Sequence, residues 1–184
     1  SSPLEAVPSV ALGTSTVSLL ELTQGYVPFA NGGQGVIANI ISKITTTDGK
    51  VLYQNTAAGP GQVVSPENVA MMNDMLSNAL EIGTGKRAKL DGWQIAGKTG
   101  TSQKARDALF VGYTSRMVTG VWLGNDDDAP TKLFGGTMPV ELWSEVMAKA
   151  HEGLAPAPLP GNYTITDNPD LQPMEQPNAN GAPT

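Results

Sequence analysis

The sequence contains no cysteine, which excludes a thiol nucleophile, a disulfide framework and a cysteine-bound zinc site. It contains one histidine, His151, and that weakens any reading as a serine–histidine triad. His151 falls near the end of an expected helix, where a partly charged imidazole would favour the helix dipole. Positive charge is scarce: 11 Lys and Arg stand against 17 Asp and Glu, for a net charge of −6. A nucleic-acid partner is therefore not expected. No stretch approaches the roughly 20 apolar residues of a membrane-spanning helix, and no secretory leader is visible. Both absences describe these 184 residues and not a longer parent, since Ser1 need not be a natural start.

The apolar content of 40% suits a globular domain with a core. Ser18-Leu19-Leu20-Glu21 reads as a capping box opening a helix to about Ala30, with Leu19, Leu22, Tyr26, Val27 and Ala30 on one face. Asn31-Gly32-Gly33 stops it, and Pro28 predicts a kink or a loose last turn. Val36–Thr45, the Asp48-Gly49 turn and Lys50–Gln54 predict a hairpin, followed by a loop over 56–64. Ser65 and Pro66 open a second helix, with Val69, Met72, Leu76, Ala79 and Leu80 at helical spacing and its methionines as core filler. Gly83-Thr84-Gly85-Lys86-Arg87 reads as a flexible basic loop. Ala108–Thr114 and Met117–Gly124 predict two strands joined by a tight turn. Asn125–Asp128 reads as a solvated turn rather than a calcium loop, because Ala129-Pro130 stands where glycine is needed. Pro139 starts a last helix to about Ala150, with Leu142, Trp143, Val146, Met147 and Ala150 facing inward and Gly153 closing it. From residue 154 the chain turns proline-rich and predicts a disordered tail over 154–184, after a folded portion over 1–153.

The centre of the sequence is Gly92-Trp93-Gln94-Ile95-Ala96-Gly97-Lys98-Thr99-Gly100-Thr101-Ser102. Its letters satisfy a phosphate-binding loop, but neither flank supplies the strand and helix that such a loop needs. The other reading is a strand over Trp93–Lys98, whose last residues and following turn carry Lys98-Thr99-Gly100. Lysine, threonine and glycine in that order form one motif of the penicillin-interacting serine enzymes. The ammonium supplies positive potential for a carboxylate, the hydroxyls donate to it, and glycine lets a ligand approach the strand.

Ala96–Ser102, Asp107–Thr114 and Gly120–Asp126, together with Pro8–Gly13 and Phe29–Gly33, resemble the C-terminal part of the transpeptidase domain of bifunctional class A penicillin-binding proteins. The resemblance runs over about residues 8–153. It implies an α+β fold, in which helices pack against an antiparallel sheet, of the penicillin-binding and serine β-lactamase type, lacking the nucleophile-bearing helical part. It also implies a peptidoglycan D,D-transpeptidase acting on stem peptides and trapped by β-lactams, without cofactor or metal. The parent would be membrane-anchored on the extracytoplasmic face of the bacterial inner membrane. Lys98 and Thr101 would be catalytic, with Lys98 supplying potential and Thr101 N–H an oxyanion donor. Thr99, Gly100, Thr101 and Ser102 would bind substrate.

The departures are specific. Leu109 stands where the family often has tryptophan. The family's serine-x-x-lysine and serine-x-asparagine motifs are absent: Ser65-Pro66-Glu67-Asn68 and Ser144-Glu145-Val146-Met147 lack the lysine. The expectation is thus a fragment, inactive alone, whose partner is the missing N-terminal part of the same protein. Rival readings are a serine β-lactamase fragment, a non-catalytic carboxylate- or peptide-binding module and, more remotely, a nucleotide-binding protein.

Overall fold

A computed structural model describes residues 6–13, 15–56 and 58–161. After a 3-10 turn at Pro8–Leu12, α1 spans Leu19–Ala30. Its capping box forms as predicted: Ser18 Oγ accepts from Glu21 N at 3.2 Å, and Glu21 accepts from Ser18 N at 3.0 Å. Pro28 lies inside α1 and is buried, and Asn31 N still reaches Val27 O at 3.2 Å. Burial of the proline ring offsets its missing donor, and the helix runs on to Ala30.

Strand β1, Gln34–Gly35, pairs with β4, Gly61–Gln62; the hairpin β2, Lys43–Thr45, and β3, Val51–Gln54, turns at Asp48-Gly49. The expected long strand over 36–45 is therefore three paired residues, and the expected loop over 56–64 contains a strand. β-Branched residues favour extended backbone, but a strand needs a paired neighbour, and Ile40 is 99% exposed.

Helix α2 spans Pro66–Glu81, with Ser65 Oγ accepting from Asn68 N at 3.3 Å. Strands β5, Ala96–Thr101, β6, Ala108–Tyr113, and β7, Val118–Leu123, form an antiparallel sheet in the order β5-β6-β7. Helix α3 spans Met138–Ala150. These elements confirm the α+β expectation. Register places Ala96, Lys98 and Gly100 on one face with Tyr113, Val111 and Leu109, and Gly97, Thr99 and Thr101 on the other with Gly112, Phe110 and Ala108.

Each face carries its own core. Under α3, Phe110, Val121, Val140, Trp143 and Met147 pack with Leu80 and Ala88. Phe110 and Trp143 meet edge to face at 5.3 Å between centroids. Under α1 and α2, Ala96 and Tyr113 pack with Ala30, Leu76 and Leu159. Two expectations about packing are corrected. Leu142 and Val146 lie on the outer face of α3 at 40% and 44% exposure, because Val140, Trp143 and Met147 take the inward stripe. Met75 on α2 is likewise exposed, whereas Met72 packs on the core.

The boundary at 154 is corrected as well. Leu154–Gly161 is a packed strap: Leu159 is buried and its N–H donates to Gln94 Oε1 at 2.9 Å, while Ala157 O accepts from Ser115 Oγ at 3.0 Å. The rest of the expected tail, 162–184, lies outside the described residues. His151 caps α3 and is buried. Its Nδ1 donates to Met147 O at 2.8 Å. Thr114 Oγ1 already accepts from Arg116 N and Met117 N, so its proton goes to His151 Nε2 at 2.9 Å.

Two polar anchors hold the site-bearing sheet. Asn73, buried on α2, donates to Phe29 O at 3.0 Å and to Pro160 O at 2.9 Å, and accepts from Tyr113 Oη at 2.7 Å. One amide thus joins α1, α2, β6 and the strap. Burial pushes the Tyr113 hydroxyl well above the ordinary tyrosine range, with the nearby Tyr26 adding to it. The second anchor is Asp107, at the β5–β6 connection. It accepts from Trp122 Nε1 at 2.9 Å, and its N–H donates to Ser102 Oγ at 2.8 Å. The Ser102 hydroxyl, then the Trp122 indole, hold its carboxyl below the usual range.

Asn73→Ala removes the partner of the buried Tyr113 hydroxyl and of two part-buried carbonyls and should destabilise the fold by about 2–4 kcal/mol, read as a lower urea midpoint at unchanged slope. Because Asp107 is depressed when folded, its contribution is present above the ordinary carboxylate pKa of about 4 and is lost as pH falls below that. Asp107→Asn should lower stability at neutral pH and flatten the acid limb of a stability–pH curve. An unchanged acid limb would show that Asp107 is not held charged.

Candidate active-site edge

The pairing of β5 with β6 decides what β5 offers to a ligand. In an antiparallel ladder, alternate residues turn N–H and C=O toward the partner and the others turn them away. Ser102 N donates to Asp107 O at 3.0 Å. That bond makes Ser102, Gly100, Lys98 and Ala96 the inward-bonding set, and turns the backbone of Gly97, Thr99 and Thr101 to the outer edge. Among the described residues no strand pairs with that edge.

The side chains converge on the edge from both faces. Lys98 stands on the face of α1 and α2, exposed, and its Nζ donates to Thr99 O at 3.0 Å. The ammonium therefore sits at the edge, over an outward carbonyl. Thr99 and Thr101 stand on the α3 face. Thr99 Oγ1 lies 2.6 Å from Thr84 Oγ1. Thr101 Oγ1 accepts from Gly135 N at 3.0 Å, which leaves its own proton to donate outward. An anion at this edge would meet one ammonium, up to two hydroxyls and the Thr101 N–H. Ser102 does not join them: its N–H faces β6 and its hydroxyl is engaged by Asp107. Gly100 faces β6 too, and a Cβ there would press on Leu109 Cβ at 3.3 Å.

Two loops that sequence reasoning did not assign to the site frame β5. The segment 83–89 is anchored, against the expectation of a flexible loop. Gly85 N donates to Ala79 O at 3.1 Å, Lys89 N to Ser144 Oγ at 3.1 Å, and Arg87 pairs with Glu141 at 2.8 Å. Gly135-Gly136 lies across the other side. A side chain at 135 would collide with Gly100 O and Leu109 O, and one at 136 with Thr84 O. The paired glycines were the one visible signal; Thr84 carried none.

The phosphate-loop reading fails on geometry. Gly97, Lys98 and Thr99 lie within β5, and only the single turn Gln103–Ala105 follows. Asn125–Asp128 is a turn, as expected, in which Asp128 pairs with Arg106 and Asp127 Oδ1 accepts from Ala129 N at 3.1 Å. A cavity of about 420 Å³ lies elsewhere, between α2, Trp93–Ile95 and the strap.

Comparison with known proteins places this geometry. The family described as the penicillin binding protein transpeptidase domain matches residues 4–138. Penicillin-binding protein 1A of Neisseria flavescens is 33% identical over 176 residues, covering 91% of this chain and 22% of that protein. The Neisseria meningitidis serogroup B protein of the same name is 36% identical over 83% of this chain and 20% of its own length. This chain therefore spans about a fifth of the curated relatives it matches. Among solved structures, the penicillin-binding protein PonA1 from Mycobacterium tuberculosis superposes with a TM-score of 0.73 at 24% identity, over 84% of this chain and 44% of that one. Penicillin-binding protein 1A from Haemophilus influenzae gives 0.69 at 22%, over 84% and 29%. PonA1 has also been solved in complex with penicillin V. The sheet with its flanking helices is thus a transpeptidase-type fold, and the chain belongs to the transpeptidase domain family of the penicillin-binding proteins.

Proposed function

We propose that this chain is one wall of a serine-type peptidoglycan D,D-transpeptidase site, the nucleophile being supplied by polypeptide outside this sequence. The observation that carries the reading is the outward Thr101 N–H beside the Lys98 ammonium on an unpaired strand edge. A stem peptide ending in D-Ala-D-Ala would lie along that edge. Its terminal carboxylate would accept hydrogen bonds from the Thr99 and Thr101 hydroxyls, under the positive potential of Lys98. The serine would attack the carbonyl between the two D-alanines. The developing oxyanion would accept from Thr101 N–H and from the serine's own N–H, and losing one such donor costs roughly 10²–10³ in rate. The C–N bond then breaks, D-alanine leaves with a proton, and an ester to the serine remains. An amine from a neighbouring peptide displaces the serine and forms the cross-link. A β-lactam carries the same carboxylate and a strained amide, so it would occupy the same edge and acylate the same serine.

Every step runs on protein groups, with no metal or cofactor in it. On this reading the parent protein is anchored in the inner membrane and works on its extracytoplasmic face, where peptidoglycan is built.

Fluorescent penicillin, a denaturing gel and an intact-mass spectrum test the proposal. This chain alone should take up no covalent label, and the full-length protein that contains it should take up one equivalent outside these 184 residues. Stoichiometric label on this chain would overturn the assignment of the nucleophile. Rapid release of hydrolysed penicillin from the full-length protein would favour a β-lactamase instead.

A further inference from the structure

The two threonines of the edge are not prepared in the same way. Thr101 Oγ1 accepts a backbone N–H from Gly135, which fills one of its two lone pairs and leaves its proton to donate outward. Thr99 has no such backbone donor. Its hydroxyl lies 2.6 Å from the hydroxyl of Thr84, and either oxygen can hold the proton between them. The two arrangements differ in what a ligand meets. If Thr84 donates, Thr99 keeps a proton to offer. If Thr99 donates, it turns only lone pairs to the edge, and an anion there is repelled.

We infer that Thr84 is a positioning residue, whose hydroxyl donates to Thr99 Oγ1 when an anionic ligand occupies the edge and so commits the Thr99 proton to that anion. The inference rests on the proposed carboxylate-binding edge and adds the residue that sets its polarity. The surroundings support it. Gly83 and Gly85 bring the Thr84 segment hard against the end of α2, with room for no Cβ beside Ala79 O or Leu80. Lys89 N to Ser144 Oγ and Arg87 to Glu141 tie the same segment to α3. Gly136 closes over Thr84 O from the opposite side. Thr84 is thus held at the end of a braced turn that sets its hydroxyl on that of Thr99. Because the donor is a side chain and not backbone, selectivity for a carboxylate can change here by one substitution that never touches the ligand.

The test is the ratio of acylation rates for a penicillin and its methyl ester, measured on the full-length protein that contains this chain. Thr84→Val should lower the acid-to-ester ratio about tenfold, the scale of one charge-assisted hydrogen bond. Thr84→Ser, which keeps the hydroxyl, should retain the ratio. Thr101→Val serves as the control for the edge itself. Loss of the ratio in Thr101→Val with no change in Thr84→Val overturns the inference and leaves the edge standing. No preference for the acid in the unsubstituted protein, or none lost in Thr101→Val, overturns the edge and the inference with it. An equal fall in both rates for Thr84→Val assigns Thr84 a purely structural part and also overturns the inference.

Discussion

Ser102 N donates to Asp107 O, and the parity set by that bond propagates through the whole β5–β6 ladder. It sends the amides of Gly97, Thr99 and Thr101 outward and those of Lys98 and Gly100 inward. A slip of one residue would exchange the sets. It would bury the Thr101 N–H against β6 and carry Lys98 to the α3 face. The anchors around the connection therefore matter more than their exposure implies. Asp107 donates its N–H to Ser102 Oγ and accepts the indole N–H of Trp122 on β7, so one residue ties the end of β5 to the two strands beyond it.

Packing defends the same register from both sides. Gly97 and Gly112 pair across β5 and β6, and a Cβ on Gly112 would strike Phe110 and Trp143. The indole of Trp143 donates to Gly112 O at 3.1 Å. Small residues at these positions let α3 lie close on the sheet, and the aromatic pair fills the space above them. On the opposite face Asn73 clamps Tyr113, while α1 comes so close over Gly120 that a Cβ would strike the Thr23 hydroxyl. The open edge of β5 is thus one side of a sheet whose interior is fixed twice over, so it keeps its geometry with no paired neighbour among the described residues.

Much of this was legible in the chain. Caps depend on a few adjacent residues, so Ser18 with Glu21 and Ser65 with Pro66 announced α1 and α2 correctly. Turn residues placed β6 and β7 within a residue of their observed ends. The order Lys98-Thr99-Gly100 located the edge. What failed depended on partners distant in sequence. Val36–Thr45 had the composition of a long strand but no neighbour for most of it. Leu142 and Val146 share a helix with Trp143, and only the direction of the sheet decided which stripe went in. Asn73 drew no reading from the sequence, since its three partners come from α1, β6 and the strap. The proline-rich composition after residue 154 hid the anchoring of Leu159 by Gln94, a contact 65 positions apart. Thr84 was invisible for the same reason, and Ser102 entered through the family resemblance, which does not tell which amides the ladder has already taken.

The central claim is that recognition occurs at the outer edge of β5. The most direct measurement is a crystal structure of the full-length protein acylated by a penicillin. The account predicts an acyl carbonyl oxygen within hydrogen-bond distance of Thr101 N, and a carboxylate contacting the hydroxyls of Thr99 and Thr101 with Lys98 alongside. An adduct whose carbonyl and carboxylate make no contact with Thr99–Thr101 would contradict it.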